Sequence, residues 1–320
     1  MVKNNARMKL VVLIAALLFI AAGAGLIFMK YSGPGNSVDS ADSADSAGLV
    51  KDYESRFIPL SDVSGNHVRF TWITLKDGIK YIPDGAFCVK IITVRENDAV
   101  YDYLKTVQPG LTVTKAMIAY FDTGAVEYYA VDDEKNASIA FQGDEPIYES
   151  YKGYHFFHSG KSGLIKFLAG NPFLILTTGG EIGEIEKDIV DAASGNKAGT
   201  TFFDDILIYA DDVSVFEDVY VYAEDDAQKY YHRSSHFENG SFQFEAIVLN
   251  PDDNIKYGLI QMTKNETESV TYNFSETGDV IKIYISGENE PEYTKKTKEL
   301  YNAVFNEYNR QRLEKAGMIE

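Results

Sequence analysis

From about Asp52 onward the chain alternates short apolar segments with turns rich in Gly, Asn and Asp. The apolar segments are dominated by β-branched and aromatic residues, which favour half-buried strands. The pattern predicts strands at Val68–Leu75, Ala86–Val94, Ala116–Phe121, Val126–Val131, Ala137–Phe141, Leu164–Leu168 and Phe173–Thr177. In the second half it predicts Phe202–Tyr209, Val213–Tyr222, Phe242–Leu249, Gly258–Met262, Ser269–Phe274 and Val280–Ser286. Three segments carry a helical period instead. Asn97–Val107 stops at Pro109-Gly110, and Glu181–Ala193 places Ile182, Ile185, Ile189 and Ala193 on one face before Gly195. The last opens on Pro291 and runs to about Lys315, with Tyr293, Thr297, Leu300, Tyr301, Val304, Phe305 and Tyr308 along one stripe that must pack on a sheet. The expected fold class is α+β, with mostly antiparallel sheets and a few packed helices after an N-terminal transmembrane helix.

That N-terminal helix is read from an uncharged run of 20 residues, Leu10 to Met29, preceded by Lys3, Arg7 and Lys9. As a helix it spans about 30 Å, the thickness of the hydrocarbon core. Ala21-Ala22-Gly23 and Ala24-Gly25 supply small residues for a signal peptidase, but the run is long for a removed signal, so an uncleaved anchor is expected. Three basic residues precede the run and only Lys30 follows it before Lys51, which keeps the N-terminus in the cytoplasm and sends the rest outside. Residues 31–51 include three successive Asp-Ser-Ala units and have little to bury, as a flexible stalk would. Two α+β domains are expected beyond it, at 52–196 and 197–320, divided near the linker-like "SGNKAGTT" of 194–201. "FLILTTGGEIGEIEKDIV" and "IKIYISGENEPEYTKKTKEL" share the order strand, Gly, acidic first turn, helix, a short echo between the two halves.

Charge and cysteine narrow the chemistry. Four of the 30 Lys and Arg lie in the first 30 residues, leaving 26 against all 48 Asp and Glu, a net −22 on the exterior part. Such a surface repels nucleic acid and anionic lipid. Cys88 is the single cysteine, so the exterior part rests on its core without an intramolecular disulfide, and Cys88 itself reads as a small buried apolar residue.

Motif by motif, the chain departs from the familiar sites. "GYHFFHSGKSG" (153–163) ends like a phosphate loop, but His155 stands where the first Gly is required, so a hairpin or loop between aromatic strands is expected. "TTGGEIGE" has Thr178 in place of the first Gly of a dinucleotide finger, and Glu181 and Glu184 suit a helix N-terminus by themselves. His232 and His236 would share a helical face but lack the intervening Glu of a zinc motif, while His155 and His158 fall on opposite faces of a strand, and His67 stands alone. No G-x-S-x-G elbow marks a nucleophile. Neither a catalytic residue, a cofactor nor a metal ligand is therefore assigned. Aspartate pairs recur at 132–133, 204–205, 211–212, 225–226 and 252–253, and "NPDDN" imitates the start of an EF-hand before Ile255 and Gln261 break it. A weak Ca2+ contact is the one cation interaction the composition invites. Four sequons, at Asn136, Asn239, Asn265 and Asn273, lie in the exterior part and fit a surface glycoprotein.

The assembly of "KNNARMK", the 20-residue apolar core, the "DSADSADSAG" stalk and an acidic, Tyr-rich, Cys-poor exterior with sequons resembles the uncharacterised membrane-anchored surface proteins of archaea. The likeness is carried by the first 48 residues, and it implies no activity, cofactor or catalytic residue. The expectation is a single-pass protein of the cell membrane whose C-terminal part is extracytoplasmic. It would serve as a non-catalytic module that binds a protein or glycan partner or helps organise the envelope. The alternative is an extracytoplasmic hydrolase with its site assembled across the sheets.

Overall fold

A computed structural model describes residues 55–315, apart from 64, 70–73, 97–100, 103, 106–107, 122–123, 134, 143–146, 159–165, 169, 172, 177–182, 197–198, 211–217, 238–239 and 264–268. The apolar run 10–29 and the stalk lie outside the described residues, and no described helix is long and apolar enough to cross a membrane.

Helices and a mostly antiparallel sheet make the fold α+β. The strands in chain order are β1 (Ser55–Pro59), β2 (Val68–Arg69), β3 (Cys88–Thr93), β4 (Thr112–Phe121), β5 (Gly124–Asp132), β6 (Ser138–Gln142), β7 (Ile147–Tyr151) and β8 (Tyr154–His158). They continue as β9 (Lys166–Leu168), β10 (Gly170–Asn171), β11 (Phe173–Leu176), β12 (Asp218–Ala223), β13 (Lys229–His236), β14 (Phe242–Leu249), β15 (Val270–Thr277) and β16 (Val280–Gly287). The helices are α1 (Leu75–Ile79), α2 (Glu184–Ala193), α3 (Asp204–Leu207), α4 (Asp253–Thr263) and α5 (Glu290–Lys315).

The chain forms two compact units that interleave in sequence. One takes residues up to 70, 94–115 and 126–190; the other takes 71–93, 116–125 and 191–320. The expected domains, 52–196 and 197–320, were sequential blocks. The interleaving follows from a non-local pairing: β3 lies antiparallel to β12, with Ile92 opposite Asp218, which draws the early strand into the C-terminal unit.

In the first unit β7, β8, β9, β11 and β5 pair antiparallel in that order, β1 pairs with β6, and β10 runs parallel to β2. The β7–β8 hairpin turns on Lys152-Gly153, with φ values of 50° and 81°. Both being positive fits the two-residue turn whose twist matches its strands. Gly153 is the residue that opens the expected aromatic hairpin, and its Gly160-Lys161-Ser162 lies outside the described residues. At the start of α2 the Glu186 carboxylate, two residues past "TTGGEIGE", accepts the backbone N–H of Gly183 at 3.0 Å; Glu184 lies in the first turn as expected, and Glu181 lies outside the described residues.

In the second unit β3, β12, β13, β14, β16 and β15 form an antiparallel sheet. The stripe read on α5 lies over one face of it, with Leu300 and Val304 fully buried and Tyr293 and Tyr308 nearly so. Two expected strands are helices. Gly258–Met262 belongs to α4, where Ile255, Leu259 and Met262 are buried at helical spacing and a side chain at Gly258 would meet Ala303 Cβ at 3.1 Å. The glycine lets the two helices approach closely, whereas apolar composition alone suggested a strand. Phe202–Tyr209 contains α3, whose Ile206 and Leu207, together with Phe203, sink into the core on one helical side. Of the expected strand 68–75, Val68–Arg69 is strand and 70–73 lie outside the described residues, while Leu75 begins α1 after Thr74, whose hydroxyl accepts the Asp77 N–H at 3.2 Å.

Candidate functional site

Side chains along a strand alternate between faces, so the sheet of the second unit has two chemically distinct sides. On the α5 side, Tyr220 and Tyr222 of β12, Tyr230 and His232 of β13 and Phe244 of β14 meet Tyr301, Phe305 and Tyr308 of α5. The His232 ring stacks between Tyr220 and Phe244, with centroids 5.2 and 5.0 Å away. The Tyr301 hydroxyl lies 2.9 Å from Nε2 and 3.1 Å from Nδ1. Burial, helped by the positive charge of Lys90, depresses the His232 pKa to about 3. The imidazole is neutral at physiological pH and enclosed by rings. Burial likewise pushes the hydroxyls of Tyr220 and Tyr230 well above their ordinary range, and Cys88, fully buried, sits beside Tyr220. This side is a closed aromatic core containing one histidine.

The opposite side is built differently. Strand register lines up Val219, Arg233, Glu245, Tyr284 and Asn273 in one row across β12, β13, β14, β16 and β15. Neighbouring strands are about 4.8 Å apart, so successive members of the row are in reach of one another. The Arg233 guanidinium pairs with the Glu245 carboxylate, both nearly buried. Tyr284 is 36% exposed, and Asn273 is exposed at the outermost strand. The next row, Ser235, Gln243, Ser286 and Thr271, is entirely polar. Toward the other end of the strands α3 packs on this side: Lys229, 3% exposed, donates to both Asp205 oxygens at 2.8 and 2.7 Å, and Lys282 donates to the Tyr209 carbonyl at 2.9 Å. Val219, Arg233 and Ser235 are themselves buried, so the exposed part of this side is its outer portion, where Gln243, Thr271 and Asn273 surround the Tyr284 ring beside the enclosed ion pair. These amides, hydroxyls and the ring can hydrogen-bond and stack.

The residues singled out in the sequence are dispersed. His232 and His236 both fall on β13, where four residues of strand separate them by about 13 Å, too far to share an ion; the helical geometry that would bring them together is not formed. His158 is buried with Nε2 3.4 Å from the Glu149 carboxylate, and His67 Nε2 is 3.0 Å from the Val63 carbonyl. The aspartate pairs serve locally. Asp252 caps α4 by accepting the Ile255 N–H at 2.8 Å, and Asp225 accepts the N–H groups of Ala227 and Gln228 at 2.9 and 2.8 Å. Asp205 holds Lys229, and Asp132 accepts the Asp133 N–H at 3.1 Å; Asp211-Asp212 lie outside the described residues. Among the described residues no group of three His, Cys, Asp or Glu is placed to hold a metal ion.

Asn136 is exposed in the turn between β5 and β6 and donates its amide to Asp133 at 2.5 Å, while Asn239 and Asn265 lie outside the described residues. The Arg233–Glu245–Tyr284 row was missed in the sequence, although "KYYHRSSH" carries the two-residue alternation that separates Arg233 from His232. No family model, curated protein or solved structure matches the chain.

Proposed function

We propose that the chain is a membrane-anchored protein of the cell surface that acts as a non-catalytic binding or envelope-organising module. Residues 10–29 cross the bilayer with the N-terminus in the cytoplasm, 31–51 form the stalk, and both folded units stand outside. The long apolar run, its basic flank and the net −22 beyond it support that placement. One observation carries the module reading: the exposed polar outer portion of the C-terminal sheet, where Gln243, Thr271, Tyr284 and Asn273 lie open beside the nearly buried Arg233–Glu245 pair. The Arg233 and Glu245 charges neutralise each other within the sheet, which leaves amides, hydroxyls and a ring at the exposed surface for recognition.

Protease treatment of intact cells, followed by detection of the C-terminus, tests the placement. Digestion is expected without lysis; a C-terminus that survives in intact cells and is cut only after lysis refutes it.

A hydrolase is favoured by a single feature of the first unit. Desolvation raises the Glu127 carboxyl above its ordinary range, with the Tyr129 hydroxyl donating to it and partly offsetting the shift. Raised carboxyls serve as general acids, but glycoside hydrolysis needs a second carboxylate about 5–9 Å away, and the described partner of Glu127 is a phenol.

A further inference from the structure

We infer that Asn273 carries an N-linked glycan whose first sugar packs on the Tyr284 ring and covers the open edge of β15. The inference rests on the exterior placement proposed above. Asn273 and Ser275, the two residues of the sequon that a transferase reads, are two apart on one strand and therefore share a face, and both are exposed. Among the described residues β15 is the outermost strand of its sheet, and no described strand pairs with its far edge. Among the described residues no hydrogen bond engages the Asn273 amide. Asn136, by contrast, is held in a tight turn by Asp133, whose φ is 45°.

Directly opposite Asn273 on β16 stands Tyr284, with a third of its surface open. A cross-strand partner lies about 5 Å away between Cβ atoms, which brings a sugar linked to Asn273 over the ring face. Lys282 and Ser286 flank Tyr284 on the same side and offer donors to sugar hydroxyls. In the transfer, Asn273 Nδ2 attacks the anomeric carbon of a lipid-linked glycosyl diphosphate supplied with its transferase by the membrane. The new C–N bond forms as the anomeric C–O bond breaks. The lipid diphosphate leaves with the bonding electrons, and the amide proton passes to the transferase base. Unprotected edge strands pair with other chains, and a glycan at mid-strand blocks that approach.

The test uses the full chain purified from the membranes of the cell that makes it. Mass spectrometry of its peptides is expected to find a sugar on the Asn273 peptide, lost in Ser275→Ala, which keeps the asparagine. The glycosylated chain is expected to melt on the order of 2 °C above Ser275→Ala, a gap that closes when both carry Tyr284→Ala. A bare Asn273 overturns the inference, and a gap indifferent to Tyr284→Ala overturns the packing on the ring. A bare Asn273 beside a modified Asn136 leaves the exterior placement standing; a bare Asn273 with the C-terminus shielded from protease in intact cells removes both.

Discussion

His232 makes the stability of the C-terminal unit depend on acid in a calculable way. Its imidazole is stacked between Tyr220 and Phe244, bonded to Tyr301 and two strands from Lys90. Burial first, and the Lys90 charge second, lower its pKa from 6.5 to about 3. Between those values the unfolded chain binds a proton that the folded one refuses, so stability rises with pH across the window and is lost as pH falls through it. The full contribution is present above pH 6.5. It shrinks by about 2 kcal/mol at pH 5 and about 3 kcal/mol at pH 4, levelling near pH 3. For a unit of this size the loss at pH 5 corresponds to a Tm lower by about 4–8 °C.

Other groups also titrate in that range, so the measurement has to be a difference. His232→Phe keeps a ring of similar shape in the stack. Unfolding of the chain from Leu49 onward, followed by circular dichroism in urea at pH 7, 5 and 4, should show the native protein losing about 2–3 kcal/mol more than the variant between pH 7 and pH 4. Native and variant curves that fall in parallel would refute the assignment of a neutral, enclosed imidazole.

Glu245→Ala should cost about 3 kcal/mol in urea titrations by stranding the Arg233 charge, and the double replacement Arg233→Met with Glu245→Leu should recover most of it; a double variant as weak as the single one would refute that account. Glu127→Gln should stabilise the first unit at pH 7 and change little at pH 4, because a carboxyl whose folded pKa is raised binds its proton preferentially in the folded state and loses stability as pH rises above the ordinary carboxyl range. Melting curves at the two pH values decide it, an equal effect at both counting against the raised carboxyl.

How far the sequence could be read depends on which interactions are local. Alternation within a segment was enough for β5, β14 and β16, and the 3.6-residue stripe was enough for α5, because each pattern is complete within its own element. It failed for α3 and α4, whose Phe, Ile and Tyr content argued for strands while the helical spacing of Ile255, Leu259 and Met262 was diluted by the exposed Tyr257 and Ile260. It failed again wherever the partner is distant. Nothing near Cys88–Thr93 announces that this strand lies beside Asp218–Ala223, and that one pairing draws residues 71–93 into the C-terminal unit.

The polar row is hidden for the same reason, since each strand contributes one residue to it and only the register assembles them. Once "KYYHRSSH" is taken as a strand, its odd positions must face away from the aromatic stripe of α5, and Arg233 then needs an acid from the next strand. "FQFEAIVL" offers one, Glu245, on its polar phase. The non-consecutive pairing of β14 with β16, which no local signal announces, carries the row to Tyr284, and the β15–β16 hairpin carries it on to Asn273. The histidine at 232 drew attention to the other phase of the strand: it joins the aromatic side, while its neighbour Arg233 begins the row that leads, through Glu245, to the exposed Tyr284 and Asn273.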